Sequence, residues 1–203
     1  MDYGFALDFI KLFVLFFVIF DPLMSFAVFF AATKDMKPKD RSKTALLSVL
    51  VAGILSALVW LLGAQLLNIF NTDLNDFKVA GGIVLGLLGI KMVMGQPLTG
   101  NKDMKNKSAQ AVAAIIGTPL LTGPAAITTI IIATEEHGHA LTGLAVLSVL
   151  LLTVVIFLQA SRIRRFMPDT FVQVTSTILG LINVAWGVMF ITDGLIAIIQ
   201  QAT

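Results

Sequence analysis

Long apolar runs separated by short polar turns dominate the chain. Six runs stand out, at about 9–32, 44–67, 79–97, 110–133, 140–160 and 171–199, each near the ~20 apolar residues that carry a helix across the hydrocarbon core of a bilayer. They predict an all-α membrane protein with six transmembrane helices, forming a single domain over residues 1–203. Composition points the same way. Hydrophobic residues make up 57% of the chain and charged residues 13%, whereas a soluble domain carries about a quarter charged residues.

The few charges carry topology. Lys34, Lys37, Lys39, Arg41 and Lys43 follow the first run; Lys91, Lys102, Lys105 and Lys107 follow the third; Arg162, Arg164 and Arg165 follow the fifth. Twelve of the fourteen basic residues therefore fall on one side, which the positive-inside rule assigns to the cytoplasm, leaving Lys11 and Lys78 as exceptions. Both termini are then expected outside an inner membrane. A net charge of +2 spread over turns excludes a nucleic-acid surface. Met1-Asp2-Tyr3-Gly4 lacks the basic start of a signal peptide, so the first run is expected to remain as a span. With no cysteine, disulfides, thiolate metal sites and thiol catalysis are all excluded.

Internal repetition adds an architecture. Asp21-Pro22-Leu23-Met24-Ser25 aligns with Thr118-Pro119-Leu120-Leu121-Thr122 at an offset of 97, and Gly82 and Gly89 align with Gly180 and Gly187 at an offset of 98. Repeat 1 spans about 5–97, a cytoplasmic linker about 98–108, and repeat 2 about 109–203. Three spans in each half force opposite orientations, giving a 3+3 inverted-topology repeat of the kind found in secondary transporters.

The aligned proline segments sit mid-span, where proline removes a backbone donor and clashes with the preceding turn. Phe20-Asp21-Pro22 and Gly117-Thr118-Pro119 through Gly123-Pro124 are thus expected to break the first and fourth helices. Broken helices offer N-terminal N–H groups and positive dipole ends that suit a carboxylate. Asp21, a carboxylate deep in a span, pairs with a substrate ammonium, serves a coupling ion as Na+ or H+, or caps its own second half-helix through Met24 or Ser25, and capping can coexist with either of the other roles. Ser25, Thr118, Thr122, Thr128 and Thr129 add hydroxyls, of which only the repeat-related Ser25 and Thr122 stand above the usual self-bonding of membrane Ser and Thr. Asn183 either faces a central site or bonds a neighbouring helix, and Gly82, Gly86, Gly89, Gly180, Gly187 and Gly194 suit close helix packing. The candidate substrate-binding set is Asp21, Pro22, Ser25, Gly117, Thr118, Thr122, Gly123 and Asn183. Glu135-Glu136-His137-Gly138-His139 has ligand side chains without a metal-site spacing. No hydrolase or phosphate-loop motif is present, and Asp21 with Asp193 makes a poor catalytic dyad, so no enzyme, cofactor or resident metal is expected.

With these residues in view, the chain resembles the MarC family, which includes the SnatA-type small neutral amino acid transporters. Asp21-Pro22 stands where that family usually has Asn-Pro; Ala80-Gly81-Gly82-Ile83 is similar to its third-helix stretch; Pro119-Leu120-Leu121-Thr122-Gly123-Pro124-Ala125-Ala126-Ile127 is similar to its proline-glycine segment; Asp193-Gly194-Leu195 fits its last helix. The resemblance implies discontinuous first and fourth helices and transport of glycine, alanine and similar amino acids driven by H+ or Na+. Aspartate for asparagine at 21 and Ala125 for glycine depart from the family pattern. An exporter or pore for another small polar solute is the alternative on the same fold, and a homo-oligomer is open.

Overall fold

The computed structural model describes residues 3–33, 35–69, 71–96, 113, 116–160, 162–163 and 168–202, and the described residues form helices and turns. The expected linker at 98–108 and the start of the fourth run lie outside them. Helix α1 runs Tyr3–Phe20 and α2 Pro22–Thr33. Together they make one apolar path, Gly4–Thr33, interrupted at Asp21. After a short basic turn, α3 runs Pro38–Ile69, opening with proline at its first position and Asp40 in its first turn, where a negative charge meets the positive helix end.

Helix α4, Leu74–Val93, begins in a capping box: Asp73 accepts the Leu74 N–H at 2.6 Å, and Asp76 reaches back to the Asp73 N–H. A π-helical turn, Ile116–Leu121, leads through Thr122 and Gly123 into α5, Pro124–His137. Gly138, at φ 80°, joins α5 to α6, His139–Leu158, in a conformation that glycine adopts without a Cβ penalty. The last helix, α7, runs Asp169–Ala202.

Among the described residues, four stretches are long and apolar enough to cross a membrane: Gly4–Thr33, Pro38–Gly63, His139–Leu158 and Thr170–Gln201. The other two expected spans fall short for visible reasons. Helix α4 carries Asp76, Lys78 and Lys91 within its 20 residues, and α5 has only 14 residues because its span is divided at Gly123. Lipid-facing character is plain on α3 and α6, where Ile54, Leu58, Leu62, Leu147 and Leu151 are exposed. Such a continuous aliphatic surface is unfavourable in water and favourable in a bilayer.

Two packing units build the interior. One is a shared core drawn mainly from α1, α2, α3, α5 and α6 and joined by Leu85 of α4 and Phe190 of α7, with Phe16, Phe20, Phe26 and Phe29 fully buried and Phe29 stacked on Phe157 at 4.5 Å between ring centres. The other is the long antiparallel seam of α4 with α7. A Cβ on Gly82 would lie 2.5 Å from the Gly187 carbonyl oxygen, and one on Gly89 would lie 2.4 Å from the Gly180 oxygen. Backbone therefore touches backbone at both crossings. That is the close approach small residues permit where lipid supplies no hydrophobic drive between helices.

Candidate functional site

The first interruption is set by Asp21 and Pro22. Proline has no N–H to continue the ladder, so α2 restarts with Pro22 in its first position. Asp21 takes φ 39°, a left-handed backbone conformation that aspartate tolerates better than most residues. The ladder of α1 still reaches the break, since the Asp21 N–H donates to the Phe17 carbonyl at 3.1 Å. Only 4% of Asp21 is exposed. Its Oδ1 accepts the Met24 N–H at 3.1 Å, so the residue does cap α2. Its Oδ2 is buried and, among the described residues, accepts no hydrogen bond. A buried carboxylate oxygen without a donor is costly, which makes this atom the chemically open point of the segment.

The second interruption is built differently. Pro119 falls within the π-helical turn, whose wider i→i+5 pattern absorbs a missing donor. The helix restarts only at Pro124, after Gly123 in extended backbone at φ −76° and ψ 177°. The element that corresponds to Asp21-Pro22 is thus Gly123-Pro124 rather than the aligned Thr118-Pro119. Among the described residues, no side-chain cap is present at this helix start. One break has a carboxylate on its N-terminus, and the other leaves its N-terminus without a side-chain acceptor.

Tertiary packing gathers the breaks. Helix α2 touches the Ile116–Leu121 turn and α1 touches α5, while Phe20 shares one buried cluster with Leu121, Ala125 and Ala126 on either side of Gly123. Ser25 and Thr122 also differ from the threonines that bond within their own helices. Thr128, Thr129, Thr134 and Thr153 each donate to the carbonyl four residues back. Ser25 instead donates to the Phe20 carbonyl across the first break at 3.3 Å, and Thr122 donates to Ala52 of α3 at 3.3 Å. Both hydroxyls tie an interruption in place.

Other expected site residues lie elsewhere. Gly117 is pressed onto α3, where a Cβ would come 2.5 Å from the Ser48 carbonyl oxygen; its role here is to let the π-turn lie flush. Thr118 falls in the same turn, and its side chain lies outside the described residues. Asn183 sits fully buried on α7 and donates to the Met92 sulfur of α4 at 3.4 Å, with its Oδ1 unpaired among the described residues. Asp193 is exposed near the end of α7, well apart in environment from the buried Asp21.

A chain of broken, apolar helices with these proline-glycine segments matches the MarC family of integral membrane proteins over residues 7–199. The chain belongs to that family. It is 30% identical over 178 residues to a UPF0056 membrane protein of Pyrococcus horikoshii, covering 87% of this chain and 88% of the relative. It is 29% identical to YhcE of Escherichia coli over 91% of this chain and 90% of the relative. The UPF0056 inner membrane protein YhgN of Escherichia coli is 26% identical over 90% and 93%. No solved structure matches the chain. Membership in the MarC family, together with the exposed apolar helices, places the protein in a membrane.

One feature of this MarC chain escaped the sequence reading. Lys78 of α4 forms an ion pair with Glu136 of α5. The signal was available, because Lys78 is one of the two basic residues outside the basic turns, and Glu136 belongs to the acidic pair Glu135-Glu136 near the end of α5. The Lys78 side chain is 16% exposed and that of Glu136 is 40% exposed, so solvent screening keeps the pair near the low end of about 0–1 kcal/mol. Lys78→Glu is expected to lower the melting temperature by a degree or two, roughly the effect of losing ~0.5 kcal/mol and adding repulsion. The swapped double variant, Lys78→Glu with Glu136→Lys, should recover most of it. Thermal unfolding in detergent checks this, and a double variant worse than either single one would refute the pairing.

Proposed function

We propose that this protein is a secondary transporter of small zwitterionic solutes, glycine- and alanine-sized neutral amino acids, working by alternating access and driven by an H+ or Na+ gradient. The observation that carries the reading is the asymmetry of the two breaks. Among the described residues, Asp21 Oδ2 is a buried acceptor without a donor, suited to an ammonium. The start of α5 at Gly123-Pro124 has no side-chain cap, suited to a carboxylate. A zwitterion satisfies both.

The inverted repeat has its own support. Under the shift of 98 residues, the crossing of Gly82 with Gly187 maps onto that of Gly180 with Gly89, and both crossings are present. A local two-fold axis through the α4–α7 seam has that property. We further propose that the basic turns face the cytoplasm and both termini lie outside.

Labelled glycine and alanine, offered to proteoliposomes under separate proton and sodium gradients, test the proposal. Saturable uptake is expected, with unlabelled small neutral amino acids competing, and the effective gradient names the ion. Folded protein that takes up neither solute under either gradient would overturn it and favour an exporter or pore for another polar solute.

A further inference from the structure

A cavity of about 460 Å³ lies between α1, α5 and α7. Its walls include Leu15 of α1, Thr129 and Ala133 of α5, and Trp186 of α7. Both interrupted helices therefore line it. Leu15 and Thr129 are each six positions from their breaks at Asp21 and Gly123, about 9 Å along a helix axis at 1.5 Å per residue. The rim carries Lys11, Glu136 and His137. Lys11 is paired with Asp8 at 3.1 Å and Glu136 with Lys78, so the rim presents both signs of charge in compensated pairs. A rim of this kind repels a zwitterion less than it would a free ion of either sign.

Trp186 lines the cavity and also packs against the cluster of Val18, Met92 and Leu179. Val18 lies three residues before Asp21 on α1. We propose that this cavity is the vestibule through which a small zwitterionic solute reaches the two breaks, with Trp186 as its inner gate. The inference rests on the transport reading above and deepens it by assigning the path. A lipid chain is the competing occupant, because Ile10, Val14 and Met189 are exposed along the side that faces the bilayer.

The cysteine-free chain makes the test direct, since single cysteines need no background removed. Thr129→Cys, Ala133→Cys and His137→Cys are compared with Leu147→Cys on the lipid-exposed face of α6. Size-exclusion elution confirms that each is folded. A charged, impermeant methanethiosulfonate is applied to vesicles of either orientation. Reaction needs the hydrated thiolate, so the three vestibule cysteines should react about tenfold or more faster than Leu147→Cys, from one side only. Glycine or alanine at roughly ten times its dissociation constant should slow the Thr129→Cys reaction about tenfold by mass action.

Reaction with a lipid-soluble maleimide but not with the charged reagent would mean an acyl-filled crevice and would overturn the proposal. Reaction with the charged reagent that no small neutral amino acid slows would overturn the path as well. Uptake by the unmodified protein is read in parallel. A transporter with an unreactive cavity loses only the vestibule, whereas a reactive cavity in a protein without uptake loses the transport reading.

Discussion

Gly82→Ala and Gly89→Ala will each lower the melting temperature of the detergent-solubilised protein by several degrees, and Gly86→Ala, between them on α4, will leave it unchanged or raise it slightly. The contrast follows from what a methyl group meets. At Gly82 the new Cβ would stand 2.5 Å from the Gly187 carbonyl oxygen and 2.9 Å from the Ile191 nitrogen; at Gly89 it would stand 2.4 Å from the Gly180 oxygen and 2.8 Å from the Val184 nitrogen. Those neighbours are backbone atoms and cannot rotate away, so α4 and α7 must separate along the seam. Overpacking of that kind costs about 1–3 kcal/mol, and a chain of this size loses roughly 2–4 °C per kcal/mol. A Cβ at Gly86 has nothing within 4 Å, which leaves only the modest preference of a helix for alanine, about 0.5–1 kcal/mol. Equal losses at all three positions would mean that the seam is not the rigid element described here.

If the proposed transport role holds, Asp21→Ala is expected to abolish uptake while leaving a folded protein, and Asp21→Asn to separate the observed cap from that proposed role. Alanine removes the acceptor for the Met24 N–H, a cap contribution of about 0.5–2 kcal/mol. It also removes a buried oxygen that no donor satisfies, which offsets part of that loss. Asparagine keeps a side-chain oxygen for Met24 and gives up the charge. Its melting temperature should therefore stay near that of the parent protein, while uptake falls or loses its response to the driving gradient. Uptake with Asp21→Ala equal to the parent would end the proposed role of Asp21. A collapse in stability with both variants would assign Asp21 to the fold instead.

The breaks show how far local sequence reaches. At Asp21-Pro22, proline and a residue able to take positive φ stand side by side, and backbone chemistry alone puts the interruption there. In the fourth run the sequence predicts an interruption from Gly117-Thr118-Pro119 through Gly123-Pro124 without choosing between the two prolines. The outcome was Pro124, because the turn at Ile116–Leu121 widened to accommodate the earlier proline. That choice depends on α3, whose backbone lies against Gly117 and accepts a hydrogen bond from Thr122. A partner some 70 residues distant in the chain is invisible to any window of sequence.

The polar residues divide in the same way. That Asn183 is buried could be anticipated from its place in an apolar run, but its neighbour Met92 could not, since the pairing arises only when α4 and α7 meet. The glycines announced close packing, and they did so without saying which helix each would touch.

Sequence by itself determined that this chain is helical, lives in a membrane, and interrupts two of its helices, because hydropathy and the missing donor of proline act within a few residues. Tertiary structure decided that Gly82 meets Gly187, that one break is capped by a carboxylate with a spare oxygen while the other is not, and that α1 and α5 enclose a cavity with α7. Those facts depend on which surfaces come together in space. In lipid, that is governed by the fit of backbones and small side chains rather than by how apolar any segment is.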